Sequence, residues 1–328
     1  MTGHDIIVIG ASVGGVEALS NLVAQLPADL AATLFVVQHT LPTAKGQMAQ
    51  ILDRAGPLTA TLAHDGESFE PAHIYVAPPD HHLIVKEGYL RVTRGLRENR
   101  VRPAIDPLFR SAAVAYGARV VGVVLSGLQN DGTAGLLAIK RCGGIAVVQD
   151  PTDAPYPDMP LSALECVEVD YCVPLLKMGA LLYRLIQEPS AETSPVPQDL
   201  LLEVNIAENP AENTDCAREL GRSTSLTCPE CGGPLWELRQ EKLRRYRCRI
   251  GHAFTPESLI EGQSEVIEYA LWAAVRTMEE RVRILTSLAH GRQEHGQNSV
   301  AKLYETRATE LKTQAQHIRQ MLLKAGKP

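Results

Sequence analysis

The sequence predicts an α/β fold class. A doubly wound, mostly parallel sheet with a β-hairpin insertion is expected over residues 1–187. An acidic linker (188–222), a small Cys/His module (223–262) and a helical C-terminal region (263–328) follow. Three observations carry this reading. Short β-branched runs alternate with amphipathic stretches, the signature of βαβ units. The run at 120–125 is apolar at nearly every position, as in a strand covered on both faces. After residue 187 the alternation stops, prolines recur, and the Cys, His and heptad patterns begin.

A strand at 6–9 leads into a helix over 16–26, with Leu19, Leu22, Val23 and Leu26 on its apolar face. A second strand at 33–38 precedes a helix over 46–55 carrying Met48, Ile51 and Leu52. An irregular β region follows: a strand at 74–77, then a hairpin of 83–86 and 89–93 joined by Glu87-Gly88. The helix over 106–116 takes Pro107 in its first turn. The strand at 120–125 is followed by a helix over 131–142, closed by Gly143-Gly144, and a strand at 145–148. Helices over 160–166 and 175–187 complete the domain.

Pro189, Pro195, Pro197 and Pro210 punctuate the acidic linker, with a short docked helix expected at 200–204. In the C-terminal region, 263–324 reads as helix interrupted at 290–298 by Gly291 and Gly296. Leu271, Val275, Met278, Val282, Leu285 and Ala289 form an a/d stripe. In the second half Val300, Leu311, Ile318 and Met321 share a face with Arg307 and Gln314. A helical hairpin and a dimerising coiled coil are both open.

Composition bounds the function. With 328 residues, 45% of them hydrophobic, the chain can bury more than one core. A net charge of −6 gives no general pull toward nucleic acid or anionic membrane. No apolar run reaches membrane-spanning length and no charged-then-apolar leader opens the sequence. Seven cysteines, three of them clustered, point to a reducing, cytoplasmic setting and to a metal, not to a disulfide scaffold.

The chemistry gathers at strand ends. Gly10-Ala11-Ser12-Val13-Gly14 fits G-x-S-x-G, a turn whose small residues expose a serine oxygen. It lacks the middle glycine of the dinucleotide fingerprint G-x-G-x-x-G. The second strand ends in Gln38-His39, and the strand at 120–125 leads into Ser126-Gly127-Leu128-Gln129-Asn130-Asp131-Gly132. Parallel strands would bring Ser12, His39 and Asp131 to one sheet edge. A serine hydroxyl needs an imidazole to take its proton, and the imidazole needs a carboxylate to set its tautomer. The backbone N–H of Val13 is the first candidate oxyanion donor. Each residue also has a plain reading: a capping serine, a structural histidine, an N-cap aspartate.

Cys228-Pro229-Glu230-Cys231 and Cys248-Arg249-Ile250-Gly251-His252 have the spacing of a structural Zn²⁺ site in a ribbon, with all four positions filled by protein. Cys142, Cys166, Cys172 and Cys216 lack such spacing and read as core or incidental thiols. Arg239, Lys242, Arg244, Arg245, Arg247 and Arg249 make this module basic. Nucleic acid, the acidic linker and a receptor are all conceivable partners for it, nucleic acid the least favoured. His81-His82 enter a strand facing opposite ways, chelate poorly, and are expected to line the cleft or the surface.

The motifs Gly10–Gly15, Gln38-His39, 99–106 (Asn-Arg-Val-Arg-Pro-Ala-Ile-Asp) and Gly127–Gly132 resemble, in order, those of the CheB-type protein-glutamate methylesterases of bacterial chemotaxis, over residues 5–187. The resemblance implies hydrolysis of glutamate γ-methyl esters on chemoreceptor cytoplasmic helices, releasing methanol, with deamidation of glutamine as a second reaction. It implies Ser12 as nucleophile, His39 as base and Asp131 as its partner, with no catalytic cofactor. The chain carries Val13 where the family often has threonine, and Leu128-Gln129 where it often has Met-Gly. No receiver domain fits before residue 5, so phosphorylation in cis is not expected to switch the chain, and the zinc ribbon and helical tail are expected to be regulatory or docking modules. An alternative from another class is a non-catalytic signalling adaptor acting through the zinc ribbon and helices.

Overall fold

The computed structural model describes residues 3–192, 194–209, 217–240 and 242–325. The chain forms two compact units, Met1–Leu259 and Ile260–Pro328.

The first unit opens with β1 (Ile6–Ala11), α1 (Gly15–Val23), β2 (Thr33–Gln38) and α2 (Met48–Ala55). Then come β3 (Thr59–Leu62), β4 (His73–Val76) and the hairpin β5 (His82–Lys86) and β6 (Tyr89–Thr93). α3 (Ile105–Tyr116), β7 (Val120–Val124), α4 (Thr133–Arg141), β8 (Ile145–Gln149) and α5 (Asp158–Cys166) continue the alternation. β9 (Tyr171–Val173) and α6 (Leu175–Gln187) close it. The sheet has seven strands in the order β3-β4-β2-β1-β7-β8-β9, and every neighbouring pair is parallel.

β1 is buried along its whole length, because apolar side chains of opposite parity enter two different cores. Ile7 and Ile9 pack with Leu19 and Leu22 of α1, Leu52 of α2 and Leu182 of α6. Ile6 and Val8 face Phe109 of α3, Leu136 of α4 and Met159 of α5. Helices on both faces leave one place for chemistry: the carboxyl ends of the strands.

Two sheet-edge strands, β3 and β9, are absent from the pattern reading; they are short and only half-buried, so their periodicity is weak. Helix starts also shift. α1 begins at Gly15 and α4 at Thr133, with Gly14 and Gly132 in left-handed conformation before them and no side-chain cap at either. Ser12 and Asp131 are therefore not the caps of these helices.

Beyond α6 the linker is more structured than its composition suggests. α7 (Gln198–Glu208) is longer than the expected docked helix and buries Leu200, Val204 and Ile206. α8 (Ala217–Leu220) also falls in the stretch read as linker, and β10 (Arg222–Thr227) starts at its last residue. β10, β11 (Pro234–Gln240), β12 (Leu243–Cys248) and β13 (Ala253–Phe254) make a four-stranded antiparallel sheet.

The second unit contains most of α9 (Pro256–Glu294) and α10 (Asn298–Ala325). Gln293 bonds Glu305, and Arg319 pairs with Glu279 at 2.7 Å, so the two helices run antiparallel as a hairpin. Gly291 lies inside α9 and does not break it. The stripe from Leu271 to Ala289 is the least exposed face of α9. In α10 the sequence reading needs correction. The inward face is Ala301, Tyr304, Ala308, Leu311, Ala315 and Ile318, whereas Val300 and Met321 are exposed. Alanines at heptad spacing let helices approach closely, and their low hydrophobicity hides them from a search for large apolar residues.

Candidate active site

β2, β1 and β7 are neighbours at the centre of the sheet, and their ends carry His39, Ser12 and the loop to Asp131. Gly14, at φ 78°, lets the chain reverse between β1 and α1. The Ser12 N–H donates to the Ser126 carbonyl at 3.0 Å, tying the turn to the end of β7. The Ser12 carbonyl accepts from Gly15 N–H at 2.9 Å and from the Gln38 side-chain amide at 2.7 Å. Gln38 is buried, so its neighbour His39 is placed by a rigid strand end while its amide holds the turn opposite.

The structure brings the three predicted residues into line. His39 Nδ1 lies 3.1 Å from Ser12 Oγ, and His39 Nε2 lies 2.7 Å from Asp131 Oδ2. A carboxylate only accepts, so Nε2 carries the ring hydrogen and the Nδ1 lone pair faces the serine hydroxyl. Asp131 also receives the Ile105 N–H at 2.6 Å on Oδ2 and the Asn99 side-chain amide at 3.0 Å on Oδ1. Burial works against the charge of Asp131, but the His39 contact, the Ile105 N–H and the Asn99 amide outweigh it. The Asp131 pKa is held below its ordinary value.

Behind this aspartate lies a second. Asp106, at the start of α3, accepts from Gly132 N–H at 3.0 Å, Gly135 N–H at 2.7 Å and the Asn99 amide at 3.1 Å. Burial, then the negative charge of Asp131, push its pKa up to about 7. Asn99 therefore bridges two carboxylates through one amide nitrogen. Val13 and Leu128, in the turns beside Ser12, expose 41% and 44% of their surface and make the approach apolar. A cavity of about 190 Å³ opens next to His39, lined among others by Val16, Lys45, Met48, Ile51 and Pro79.

A profile of the CheB methylesterase family matches residues 7–182. The chain belongs to the CheB methylesterase family. It is 38% identical over 185 residues to a putative protein-glutamate methylesterase/protein-glutamine glutaminase of Leptospira interrogans, covering 56% of this chain and 96% of that relative. It is 45% identical over 161 residues to protein-glutamate methylesterase/protein-glutamine glutaminase 3 of Anaeromyxobacter dehalogenans, 48% of this chain and 47% of that protein. The Thermotoga maritima CheB methylesterase catalytic domain superposes with a TM-score of 0.54 at 34% identity, covering 56% of this chain and all of that one.

The match to CheB ends before the Cys/His module, which the structure describes on its own terms. The ligand atoms of Cys228, Cys231, Cys248 and His252 all lie within 4.8 Å of one another. Cys231 and Cys248 sulfurs are 3.7 Å apart, and His252 Nδ1 is 3.5 Å from Cys248 Sγ and 3.8 Å from Cys228 Sγ. Such spacings are the edges of a tetrahedron with ligands about 2.0–2.3 Å from its centre, so the donor set fits Zn²⁺. Cys142 is buried, Cys166 half-buried and Cys172 exposed, and none joins this group; Cys216 lies outside the described residues.

Two of the module's arginines face inward. Arg245 makes a double hydrogen bond to Glu203 of α7, and Arg247 reaches Glu203 at 3.0 Å and Glu98 at 3.1 Å. Arg110 of α3 completes the cluster on Glu98 at 2.6 Å. Burial raises the cost of both carboxylates, but the surrounding guanidiniums hold Glu98 and Glu203 ionised, with pKa values below the ordinary one. The basic module thus docks on the linker helix and the catalytic domain, and Arg239 and Arg244 pair with Glu237.

His82 corrects the expectation that the His81-His82 pair lines cleft or surface. It is fully buried, with Nε2 2.8 Å from the Leu96 carbonyl and Nδ1 accepting the Ala104 N–H at 3.2 Å. It pins both ends of the segment that carries Asn99. Sequence reasoning gave Asn99 and Gln38 no role of their own; their presence in motifs was the only signal.

Proposed function

We propose that this chain hydrolyses γ-methyl esters of glutamate residues on chemoreceptors, with Ser12, His39 and Asp131 as its triad. The observation that carries the reading is the continuous Ser12–His39–Asp131 hydrogen-bond line at the ends of three adjacent strands. Ser12 Oγ attacks the ester carbonyl while His39 Nδ1 takes its proton. Asp131 fixes the ring orientation and stabilises the imidazolium that forms. The Val13 N–H, ahead of α1, donates to the tetrahedral oxyanion. Collapse breaks the C–O bond of the ester, His39 returns the proton to the leaving methoxide, and methanol departs. Water, deprotonated by the same imidazole, then releases glutamate from Ser12. Glutamine would follow the same course with ammonia leaving, consistent with the double names of the relatives.

The reading extends to setting and partners. The substrate would be the cytoplasmic helices of methylated receptors in chemotaxis-type signalling, placing the chain in the cytoplasm. No helix among the described residues is long and apolar enough to cross a membrane. Cys228, Cys231, Cys248 and His252 would hold Zn²⁺ as a structural ion that closes the ribbon, and catalysis needs no cofactor. The test is methanol release from methylated receptor by wild type and Ser12→Ala, together with labelling by a fluorophosphonate probe. Loss of both in Ser12→Ala is expected; equal rates would remove the triad assignment, and an unlabelled wild type would favour the adaptor.

A further inference from the structure

Three hydrogen-bonded side chains join the Cys/His module to the loop that carries Asp131. Thr255 follows β13 immediately and is 1% exposed. Its hydroxyl donates to Asn130 Oδ1 at 2.9 Å, and its backbone N–H is shared between Ser258 Oγ at 2.9 Å and Asn99 Oδ1 at 3.2 Å. The Asn99 N–H in turn donates to the Ala253 carbonyl of β13 at 2.8 Å. The other end of the Asn130 side chain donates to Glu257 at 2.6 Å. Asn99 thus has its backbone and its amide oxygen held by the module, while its amide nitrogen holds Asp131 and Asp106.

Asn99 sits at φ 50°, the left-handed region, where a residue with a Cβ stays only if its surroundings hold it there. A freed Asn99 oxygen would lack a donor in a buried site, and its amide could turn away from Asp131. Asn130 is the residue directly before Asp131, so its pinned side chain fixes the chain direction there.

We propose that Thr255 is a positioning residue for the triad: the Cys/His module holds Asp131 in register with His39 through Thr255, Asn99 and Asn130. This rests on the triad reading above. The module is then part of the machinery that aligns the site, not an appended docking arm.

The experiment measures kcat and KM for methanol release by the full-length protein, with active sites counted by the fluorophosphonate probe. The same samples give the downfield proton resonance of His39 Nε2–H, which reports the bond to Asp131. Thr255→Val, which removes the hydroxyl bond to Asn130 and keeps the backbone bond to Asn99, should lower kcat about five- to tenfold with KM unchanged, the scale of a small misalignment at a reacting group, and shift or broaden the resonance. Thr255→Ser, which keeps the hydroxyl, should restore both. Thr255 also caps α9: its hydroxyl accepts from Ser258 N–H at 3.3 Å and its own N–H donates to Ser258 Oγ at 2.9 Å, so Ser258→Ala, which removes the second capping bond and leaves the bond to Asn130, controls for helix fraying and should match wild type. Wild-type kcat and resonance in Thr255→Val would overturn the proposal, as would equal losses in Ser258→Ala. If Ser12→Ala keeps full activity, the triad reading itself has failed, whatever Thr255 does.

Discussion

Asp131 Oδ2 stands 2.7 Å from His39 Nε2 and uses the same oxygen to take the Ile105 N–H at 2.6 Å. That oxygen must be an acceptor twice over, which an amide can satisfy only by turning its NH₂ toward Asn99, itself a donor. Asp131→Asn therefore either sets its NH₂ against the Asn99 amide donor or, turned over, loses the Ile105 bond and presents a hydrogen to Nε2, driving the imidazole to the wrong tautomer. A fall in kcat on the order of 10³–10⁴ is expected. Methanol release under single-turnover conditions checks it; a loss under tenfold would mean that Asp131 does not set the tautomer.

Glu203 is fully buried between Arg245 and Arg247, and Glu203→Ala would leave their charges without this carboxylate. Removing one partner of such a group costs about 3–5 kcal/mol. Denaturant unfolding should show that loss as a lower midpoint, whereas a midpoint equal to wild type would mean that the module docks without it.

Zinc should be bound at about one ion per chain, as a single tetrahedral Cys₃His set requires. Trp236 lies in β11, 7% exposed, beside the ribbon core formed by Cys228, Leu235, Tyr246 and Phe254. Chelation, or Cys228→Ser, should release the ion and shift the Trp236 emission to the red as the ribbon opens. Emission unchanged after complete metal removal would show that the ribbon folds without it.

His82 couples stability to pH. Its burial, opposed by Glu98, the Leu96 carbonyl and Asp131 and reinforced by Arg102, keeps its folded pKa below 6.5. The unfolded imidazole protonates as pH drops through about 6.5, while the folded one resists. The unfolded state then binds more protons, so this contribution is complete above pH 6.5 and is lost as pH falls below it. The change in unfolding free energy between pH 8.0 and 5.5 should differ between wild type and His82→Gln, while the opposite contribution of Asp106, which titrates at about 7, is common to both. Equal pH dependence in the two would exclude His82 as the source.

That Ser12, His39 and Asp131 meet was legible in the sequence because parallel strands order their own ends. Once strands at 6–9, 33–38 and 120–125 are recognised, Ser12, His39 and Asp131 follow from chain order alone. Adjacent strands were not required by that pattern, yet β2, β1 and β7 are neighbours. What could not be read were contacts between parts far apart in sequence. Asn99 and Thr255 meet across 156 residues, and no periodicity encodes such a bond. His82 misled for a related reason: a polar side chain entering a strand looks solvent-facing until its two buried backbone partners, Leu96 and Ala104, are known. The alanine face of α10 was hidden by chemistry, because alanine marks close packing without standing out as apolar.

Gly127 lets the chain just past β7 lie close against Ser12. A Cβ built there would lie 2.7 Å from Ser12 Cβ and nearer still to the Met159 sulfur. Met159 is itself fully buried in α5, so the thioether has little room to retreat, and the added methyl must press on the Ser12 turn. Gly127→Ala is expected to destabilise the protein by about 1–3 kcal/mol, the usual cost of overpacking. Its effect on kcat should be larger, about a hundredfold, because a displacement of the Ser12 oxygen of ~1 Å takes it out of line with His39 Nδ1. The two effects separate experimentally: Met159→Ala in the Gly127→Ala background opens space for the methyl. Recovery of methanol release in the double variant would show that displacement of Ser12 caused the loss, and a double variant as slow as Gly127→Ala would show that it did not.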